Sequence, residues 1–399
     1  MQIVKDIINS QRQWNQFIRE SNRNLLQDAG FSTEEHFKRF KRYLEDENFE
    51  ALNKIMKKNQ KIDIMYGRMF NCVINKPKAM QWLITNGYNI NLEYDYDNPL
   101  INAFECFNKD RILFLIENGA SIHIKDYSGH DIFQRMIGKV GAKNTDKIIT
   151  FMQLAEELGR SIKEYGGEGF LSAVFNVHIY DDLESEYMKI IDYFLKQGVD
   201  INYRSTYTKI TALYISAWYE NLKMCKYLVK HGANPLIGDR TGERPYTKIY
   251  DEYSLEISHY LKSLEPKGLH DTKWFTNNLL KQGLPKQVID ICLSEDRVFK
   301  LVENINSKDD YVLIKEYIEK GGDICFKKIT KIVSCRINNI SHLSLSIENN
   351  NTRIYFNLEN KSIAICSVYY YVNYVEEKYE EIGGVEEFIN MLKPIKLVK

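Results

Sequence analysis

The sequence predicts a mainly α-helical protein in which repeated helix pairs form a solenoid and a smaller α+β domain follows. Two observations predict the helix pairs: a short phrase that ends in glycine recurs, and helix-start signals stand at matching distances before it. A third observation predicts the second domain, because apolar residues alternate with a period of two after residue 340. The 399 residues are enough for more than one domain.

The recurring phrase is an apolar helix end followed by a glycine. It occurs as WLITNGYNINL, FLIENGASIHI, YFLKQGVDINY and YLVKHGANPLI, which place Gly87, Gly119, Gly198 and Gly232. The first two glycines lie 32 residues apart and the last two lie 34 apart. Glycine accepts the left-handed conformation that ends a helix without a steric penalty. The phrase therefore predicts a helix stop at each of these positions.

Helix-start signals precede two of these stops. Asn98 offers a side-chain cap with Pro99 at the first helical position, and Thr211 offers a threonine cap. Each cap lies 21 residues before the next glycine stop. That interval holds two helices, which a short turn separates at Asn108 in one case and at Asn221 in the other.

Two segments, NPLINAFECFNKDRILFLIENGASIHIKDYSGHDIF and TALYISAWYENLKMCKYLVKHGANPLIGDRTGERPY, resemble the ankyrin repeat family. The resemblance depends on the capped helix pair, the glycine stop and an Asp-x-x-Gly finger, which runs from Asp126 to Gly129 and from Asp239 to Gly242. It implies an ankyrin-repeat helical solenoid that displays an extended protein-binding surface.

The spacing of the stops predicts about six repeats between residues 36 and 265. The 79 residues between Gly119 and Gly198 are divided by a weaker stop at Gly159, so two of the repeats are enlarged. Asn59 is a candidate stop without glycine. The predicted domains are an N-terminal helical cap at 1–35, the solenoid at 36–267 and a C-terminal α+β domain at 268–399.

The C-terminal domain is predicted to contain an antiparallel sheet. HLSLSIE, RIYFNL and SIAICSVYYYV form a three-stranded meander, KKITKIVSCRI adds a fourth strand, and GGVEEFINML forms a closing helix. This region resembles the SUKH superfamily of bacterial immunity domains. That resemblance is carried by Leu284-Pro285 at a helix start, the hairpin RIYFNLENKSIAICSV, and Glu386, Glu387 and Phe388 in the last helix. It implies binding of a toxin domain.

The composition argues against several classes of protein. With 44% hydrophobic residues and 54 basic against 54 acidic side chains, the chain is neither disordered nor a membrane protein, and it lacks the basic field of a nucleic-acid-binding protein. The seven cysteines stand singly without a CxxC pair. Reduced thiols and the absence of a signal-peptide pattern predict a cytoplasmic location.

No enzyme signature is found in the sequence. The motifs HExxH, GxSxG, GxGxxG and Walker A do not occur, and the eight histidines never stand at a metal-ligand spacing. We therefore predict no catalytic residue, no metal site and no cofactor. An enzyme carried by the C-terminal domain would need converging polar residues, for which the sequence offers only Asp309-Asp310, Lys327-Lys328 and His342.

Candidate partner-binding residues follow from the ankyrin resemblance, which implies exposure at the finger tips and at the end of each first helix. This set comprises Tyr94, Asp95, Asp97, Glu105, Tyr127, Ser128, His130, Tyr207, Trp218, Tyr219, Arg240 and Glu243. Trp218 and Tyr219 are the main candidates, because tryptophan and tyrosine are enriched at binding hot spots. The alternative is that a neighbouring repeat buries Trp218.

A second candidate surface is acidic. Glu380 and Glu381 belong to a glutamate-rich stretch near the C-terminus, which forms either a solvated helix face or a docking site for a protein partner.

The sequence thus predicts a non-enzymatic protein-binding scaffold without nucleic-acid or membrane partners. The sharper hypothesis is a bacterial immunity protein that occludes a cognate toxin. The alternative is an ankyrin adaptor or effector that a bacterium or large virus directs at host proteins.

Overall fold

The computed structural model describes most of the chain between residues 34 and 394. The described residues are 34–58, 73, 75–91, 98–126, 128–139, 144–249, 255–294, 298–301, 323–346, 352–370 and 375–394. They contain seventeen α-helices and eight β-strands. The chain divides into two compact units, the first made of Met1–Lys139 and Asp146–Arg160, the second of Val140–Thr145 and Ser161–Lys399.

The first unit is built from helices. They are α1 (Glu34–Glu45), α2 (Phe49–Lys58), α3 (Pro77–Thr85), α4 (Pro99–Glu105), α5 (Lys109–Glu117), α6 (Ile132–Ile137) and most of α7 (Thr145–Glu157). The predicted cap is confirmed, since the Asn98 side chain accepts hydrogen bonds from the amides of Leu100 and Ile101 at the start of α4. Asn108 caps α5 in the same way. Residues 1–33 and Asn59 lie outside the described residues.

The second unit begins with further helix pairs. They are α8 (Ile162–Tyr165), α9 (Gly167–Ile179), α10 (Glu184–Lys196), α11 (Ala212–Trp218), α12 (Leu222–Lys230), α13 (Pro245–Lys248) and α14 (Leu255–Leu264). Thr211 caps α11 and Asn221 caps α12, as the sequence predicts. Between α11 and α12, Glu220 has a φ of 54°, which turns the chain from one helix to the next.

The predicted glycine stops are confirmed in both units. Gly87, Gly119 and Gly159 have φ values of 96°, 91° and 97°, and Gly198 and Gly232 have φ values of 87° and 98°. Residues with a Cβ rarely adopt this left-handed region. The total of about six repeats stays a prediction.

The C-terminal part of the second unit contains two sheets and three helices. The helices are α15 (Thr272–Lys281), α16 (Lys286–Leu293) and α17 (Val385–Asn390). The strands are β1 (Val298–Leu301), β2 (Asp323–Cys325), β3 (Val333–Ile337), β4 (Ile340–Ser344), β5 (Thr352–Asn357), β6 (Ser362–Tyr370), β7 (Val375–Gly384) and β8 (Leu392–Pro394). β3 to β7 form an antiparallel sheet in chain order, and β2, β1 and β8 form a second sheet.

One face of the five-stranded sheet carries the core of this part. Leu343, Ile354, Phe356, Ile363 and Ile365 are buried there, together with residues of α15, α16 and α17. Alternation with a period of two places these side chains on the same face. The predicted antiparallel sheet and closing helix are confirmed.

The prediction for the glutamate-rich stretch is wrong in one respect. It is not a helix face, because residues 375–384 form β7, which pairs antiparallel with β6 over its whole length. The sheet consequently has one strand more than the sequence predicted. No helix in the described part of the chain is long and apolar enough to cross a membrane.

Candidate protein-binding site

Four rings, three of them exposed and one half-buried, form a cluster at the ends of α9 and α11, which we call the aromatic surface. Its members are Phe175, His178, Trp218 and Tyr219. Tyr219 stands at the centre, with ring centroids 5.6 Å from Phe175, 5.1 Å from His178 and 6.2 Å from Trp218. Phe175, Trp218 and Tyr219 expose 43%, 52% and 39% of their surface. Large, partly exposed rings offer a partner apolar contact area and lose little conformational entropy on binding.

The helix pairs place these rings together because they share positions in the repeat. Phe175 and Trp218 are 43 residues apart, and so are His178 and Asn221. The inner faces of the same helices are buried through Phe170 and Leu213. The outward-facing ends of α9 and α11 therefore remain accessible to a partner.

His178 is held as a neutral ring. The side-chain amide of Asn221 donates to Nδ1 of His178 over 3.2 Å, which requires that this nitrogen carries no proton. Burial lowers the pKa of His178 to about 4, against the opposing attraction of Glu184. The ring stacks on Tyr219 at an interplanar angle of 15°. His178 thus supports the aromatic surface from below.

Lys248 supports Trp218 from the other side. Its Nζ lies 4.4 Å from the centroid of the Trp218 ring and 5.9 Å from that of Tyr214, while the residue itself is only 2% exposed. A buried ammonium group over a ring face is attracted by the ring quadrupole. The contact holds the Trp218 ring, which remains 52% exposed.

Among the other predicted residues of the second unit, exposure varies. Tyr207 is 37% exposed, as predicted. Arg240 is half-buried, and its backbone amide donates to the carbonyl of Thr208. Neither residue belongs to the aromatic surface.

Glu243 is not exposed, and this prediction is wrong. Its carboxylate is completely buried, with Oε1 2.9 Å from Nζ of Lys327 and Oε2 3.0 Å from the Arg353 guanidinium. Both cations belong to the C-terminal part of the unit, so the fingertip position that would face a partner is occupied from within the chain. We call Asp239, Thr241, Glu243, Lys327 and Arg353 the finger cluster.

The acidic candidates do not form a single patch. In the β6–β7 register Glu380 is opposite Ile365 and Glu381 is opposite Ala364, so the two glutamates point to opposite faces of β7. Oε1 of Glu381 already accepts hydrogen bonds from Asn357, Asn360 and Tyr379. 

In the first unit, the predicted residues also differ in exposure. The Glu105 side chain is only 12% exposed and lies 2.6 Å from Nε of Arg135, so the exposure predicted for Glu105 is wrong. Ser128 is half-buried, with its amide bonded to Asp126. The His130 side chain is 46% exposed. Tyr94, Asp95, Asp97 and Tyr127 lie outside the described residues.

Sequence reasoning missed Phe175, His178 and Lys248. The first two were missed because the segment of α9 lacks the regular spacing of the other helix pairs, although the 43-residue offset to Trp218 and Asn221 could have found them. Lys248 carries no local signal. In the described residues, no group of three or more histidine, cysteine, aspartate or glutamate side chains is placed to hold a metal ion.

Comparison with known proteins points to the same repeats. The family model for ankyrin repeats in many copies matches residues 180–229, which reach from the end of α9 into α12. A putative ankyrin repeat protein of fowlpox virus (strain NVSL) is 28% identical over 182 residues, which cover 45% of this chain and 88% of the viral protein. Both matches support ankyrin repeats in this chain. Such repeats are generally non-catalytic modules for protein interaction.

Proposed function

We propose that the chain is an adaptor that binds a protein partner through the aromatic surface. Its ankyrin repeats suggest a protein-binding scaffold, and the aromatic surface combines hot-spot residue types, exposure and mutual ring contacts. The observation that carries the proposal is the half-exposed Trp218, which is held by Lys248 and Tyr219 although the core beneath is complete without it.

The physical basis is pre-organisation. A tryptophan that is already fixed on one face loses little conformational freedom when a partner covers the other. His178, Tyr219 and Phe175 continue the apolar contact area beside Trp218. A partner that fits must therefore present an apolar surface.

The decisive experiment is affinity capture with the full chain, followed by binding measurements on the partner it identifies. We expect Trp218→Ala combined with Tyr219→Ala to weaken binding by at least about 2 kcal/mol, the usual hot-spot threshold, which is roughly thirtyfold in Kd. Trp274→Ala is the matched control, since Trp274 is 49% exposed in the same unit but lies outside the aromatic surface. Equal binding by the double variant and the control would refute the proposal.

The class of partner separates the adaptor role from the immunity role. The immunity hypothesis depends on the resemblance of the C-terminal part to SUKH domains, whereas the fowlpox relative and the family model concern the repeats. We therefore propose the host-directed adaptor, acting in the cytoplasm, as the better supported role. Protection of cells against a co-expressed toxin domain, lost in the aromatic double variant, would establish the immunity role instead.

A further inference from the structure

The finger cluster begins with a tightly bonded loop of the repeat. Oδ1 of Asp239 accepts hydrogen bonds from the Thr241 amide, the Thr241 hydroxyl and the Glu243 amide at 2.8, 2.8 and 2.9 Å. These bonds fix the direction of the Glu243 side chain relative to α11 and α13. The loop is therefore a rigid carrier for the Glu243 carboxylate.

The C-terminal part holds that carboxylate with two cations. Nζ of Lys327 forms an ion pair with Glu243 and donates a hydrogen bond to the Ser344 hydroxyl at 2.9 Å, so its position is set by β4. Arg353 on β5 bonds to Glu243 and to the Thr241 hydroxyl. Burial alone would raise the pKa of Glu243, but Lys327, Arg353 and Lys248 outweigh burial and lower it to about 2.

On the repeat side, the same loop contacts the support of Trp218. The Tyr214 hydroxyl lies 3.1 Å from Oδ2 of Asp239 and 3.5 Å from Oε2 of Glu243. The Tyr214 ring meets the Trp218 ring edge to face at 6.5 Å. Lys248 lies over both rings. A continuous set of contacts thus runs from the sheet strands β4 and β5 to the exposed indole.

The finger cluster does more than hold the repeat loop and the sheet together. Apolar residues of similar volume usually join two surfaces as well as a buried ion cluster does, or better, because charges are costly to desolvate. Directional hydrogen bonds, in contrast, define one geometry. The best-attested use of buried polar groups is to select one arrangement among several, and here the group whose arrangement depends on them is Trp218.

We propose that Arg353 and Lys327 are positioning residues for partner recognition, because they hold Trp218 in its binding orientation through Glu243, Tyr214 and Lys248. The inference rests on the proposed function in taking the aromatic surface as the recognition site. It adds that the C-terminal part controls the shape of that site without touching the partner.

The test needs no partner. Replacing Trp14, Trp82 and Trp274 by Phe leaves Trp218 as the only tryptophan of the full chain, so its fluorescence can be excited selectively over that of the 27 tyrosines. In this background we compare Arg353→Met, Lys248→Met and Arg353→Lys, and record acrylamide quenching and time-resolved anisotropy at a temperature where circular dichroism shows all of them folded.

We expect Arg353→Met and Lys248→Met to raise the quenching constant of Trp218 and to add a fast component to its anisotropy decay. Arg353→Lys should restore part of the original signal, since it keeps the charge beside Glu243. Lys54→Met is the matched control, because Lys54 forms an exposed ion pair with Glu50 in the first unit and should leave the signal unchanged.

If Arg353→Met lowers the melting temperature while Trp218 keeps its quenching and anisotropy, the finger cluster is only structural and the inference fails. If Arg353→Met does not fold, Arg353→Lys decides in the same way, because it still removes one of the two contacts that Arg353 makes to the loop. The proposed function fails by a different observation, namely normal partner binding by the aromatic double variant.

Discussion

The Glu243 carboxylate and the Arg353 guanidinium lie 3.0 Å apart in the interior, although 110 residues separate them along the chain. With Lys327, they join the last described finger to the sheet of the C-terminal part. The contact closes the finger position to a partner, and it lies within the second compact unit, which contains both the helix pairs from residue 161 onward and the sheet.

Removal of the Glu243 carboxylate should be strongly destabilising. Glu243→Ala leaves two buried cations facing each other, so we expect the free energy of unfolding to fall by about 3–5 kcal/mol. Urea unfolding followed by circular dichroism measures the loss. Lys223→Ala, which breaks an ion pair whose lysine side chain is 82% exposed, should cost less than about 1 kcal/mol. Equal losses in the two variants would contradict a stabilising finger cluster.

The glycine stops and the caps could be predicted because their causes are local. A left-handed φ at Gly119 or a side-chain oxygen at Asn98 is required within a few residues of the helix end, and each leaves a signature in the sequence there. The same holds for the alternation in β4, β5 and β6, where one face of each strand packs into the apolar core.

The finger cluster and β7 could not be predicted because their causes are distant. Nothing near Glu243 in the sequence distinguishes it from an exposed fingertip, since Lys327 and Arg353 lie far along the chain. The glutamates of β7 have low strand propensity, but pairing with β6 overrides it. Glu381 keeps its charge at the edge of the sheet because three side chains donate to it.

Stability should depend on pH through His178. Because burial lowers its pKa in the folded state from 6.5 to about 4, the unfolded chain takes up the proton first as the pH falls. The stabilisation is complete above about pH 6.5 and is lost between pH 6.5 and pH 4. Thermal unfolding at several pH values should show this slope, and His178→Gln should reduce it; burial also lowers the pKa of His270, which adds a slope of the same sign.

His259→Gln is the control for this prediction, because His259 is exposed on α14 and should leave the slope of the wild-type chain intact. A slope of unchanged steepness in His178→Gln would mean that another group is responsible.

The helix stops provide a prediction for backbone strain. Gly119→Val and Gly232→Val should each cost more than about 1 kcal/mol, because a β-branched residue is strained at positive φ. A Cβ at either position would meet no atom within 4 Å, so the cost measures the backbone alone. Unchanged melting temperatures for both variants would contradict the repeat register.

A comparison of Gly242 with Gly232 distinguishes backbone strain from the contact between the finger and the sheet. Its φ of 80° is similar to the 98° of Gly232, but a Cβ there would lie 2.2 Å from the Ser334 carbonyl oxygen on β3. Gly242→Ala should therefore destabilise the chain more than Gly232→Ala, and the difference in urea unfolding reports the finger–sheet contact. Equal costs would show that the finger moves away freely.

A cut between the repeats and the C-terminal part should not separate them. Pro266, Lys267 and Gly268 are exposed, and the predicted domain border lies there. We propose inserting the recognition sequence of a site-specific protease between Lys267 and Gly268. After cleavage, the two fragments should elute together in size-exclusion chromatography, because the finger cluster and the bond from Lys331 to the Ile249 carbonyl still join them.

Glu243→Ala in the same background should let them dissociate, since it removes the shared acceptor of both cations. Co-elution of the Glu243→Ala fragments would assign the cohesion to the apolar contacts instead, and separation of the wild-type fragments would mean that the finger cluster is too weak to hold the sheet on the repeats.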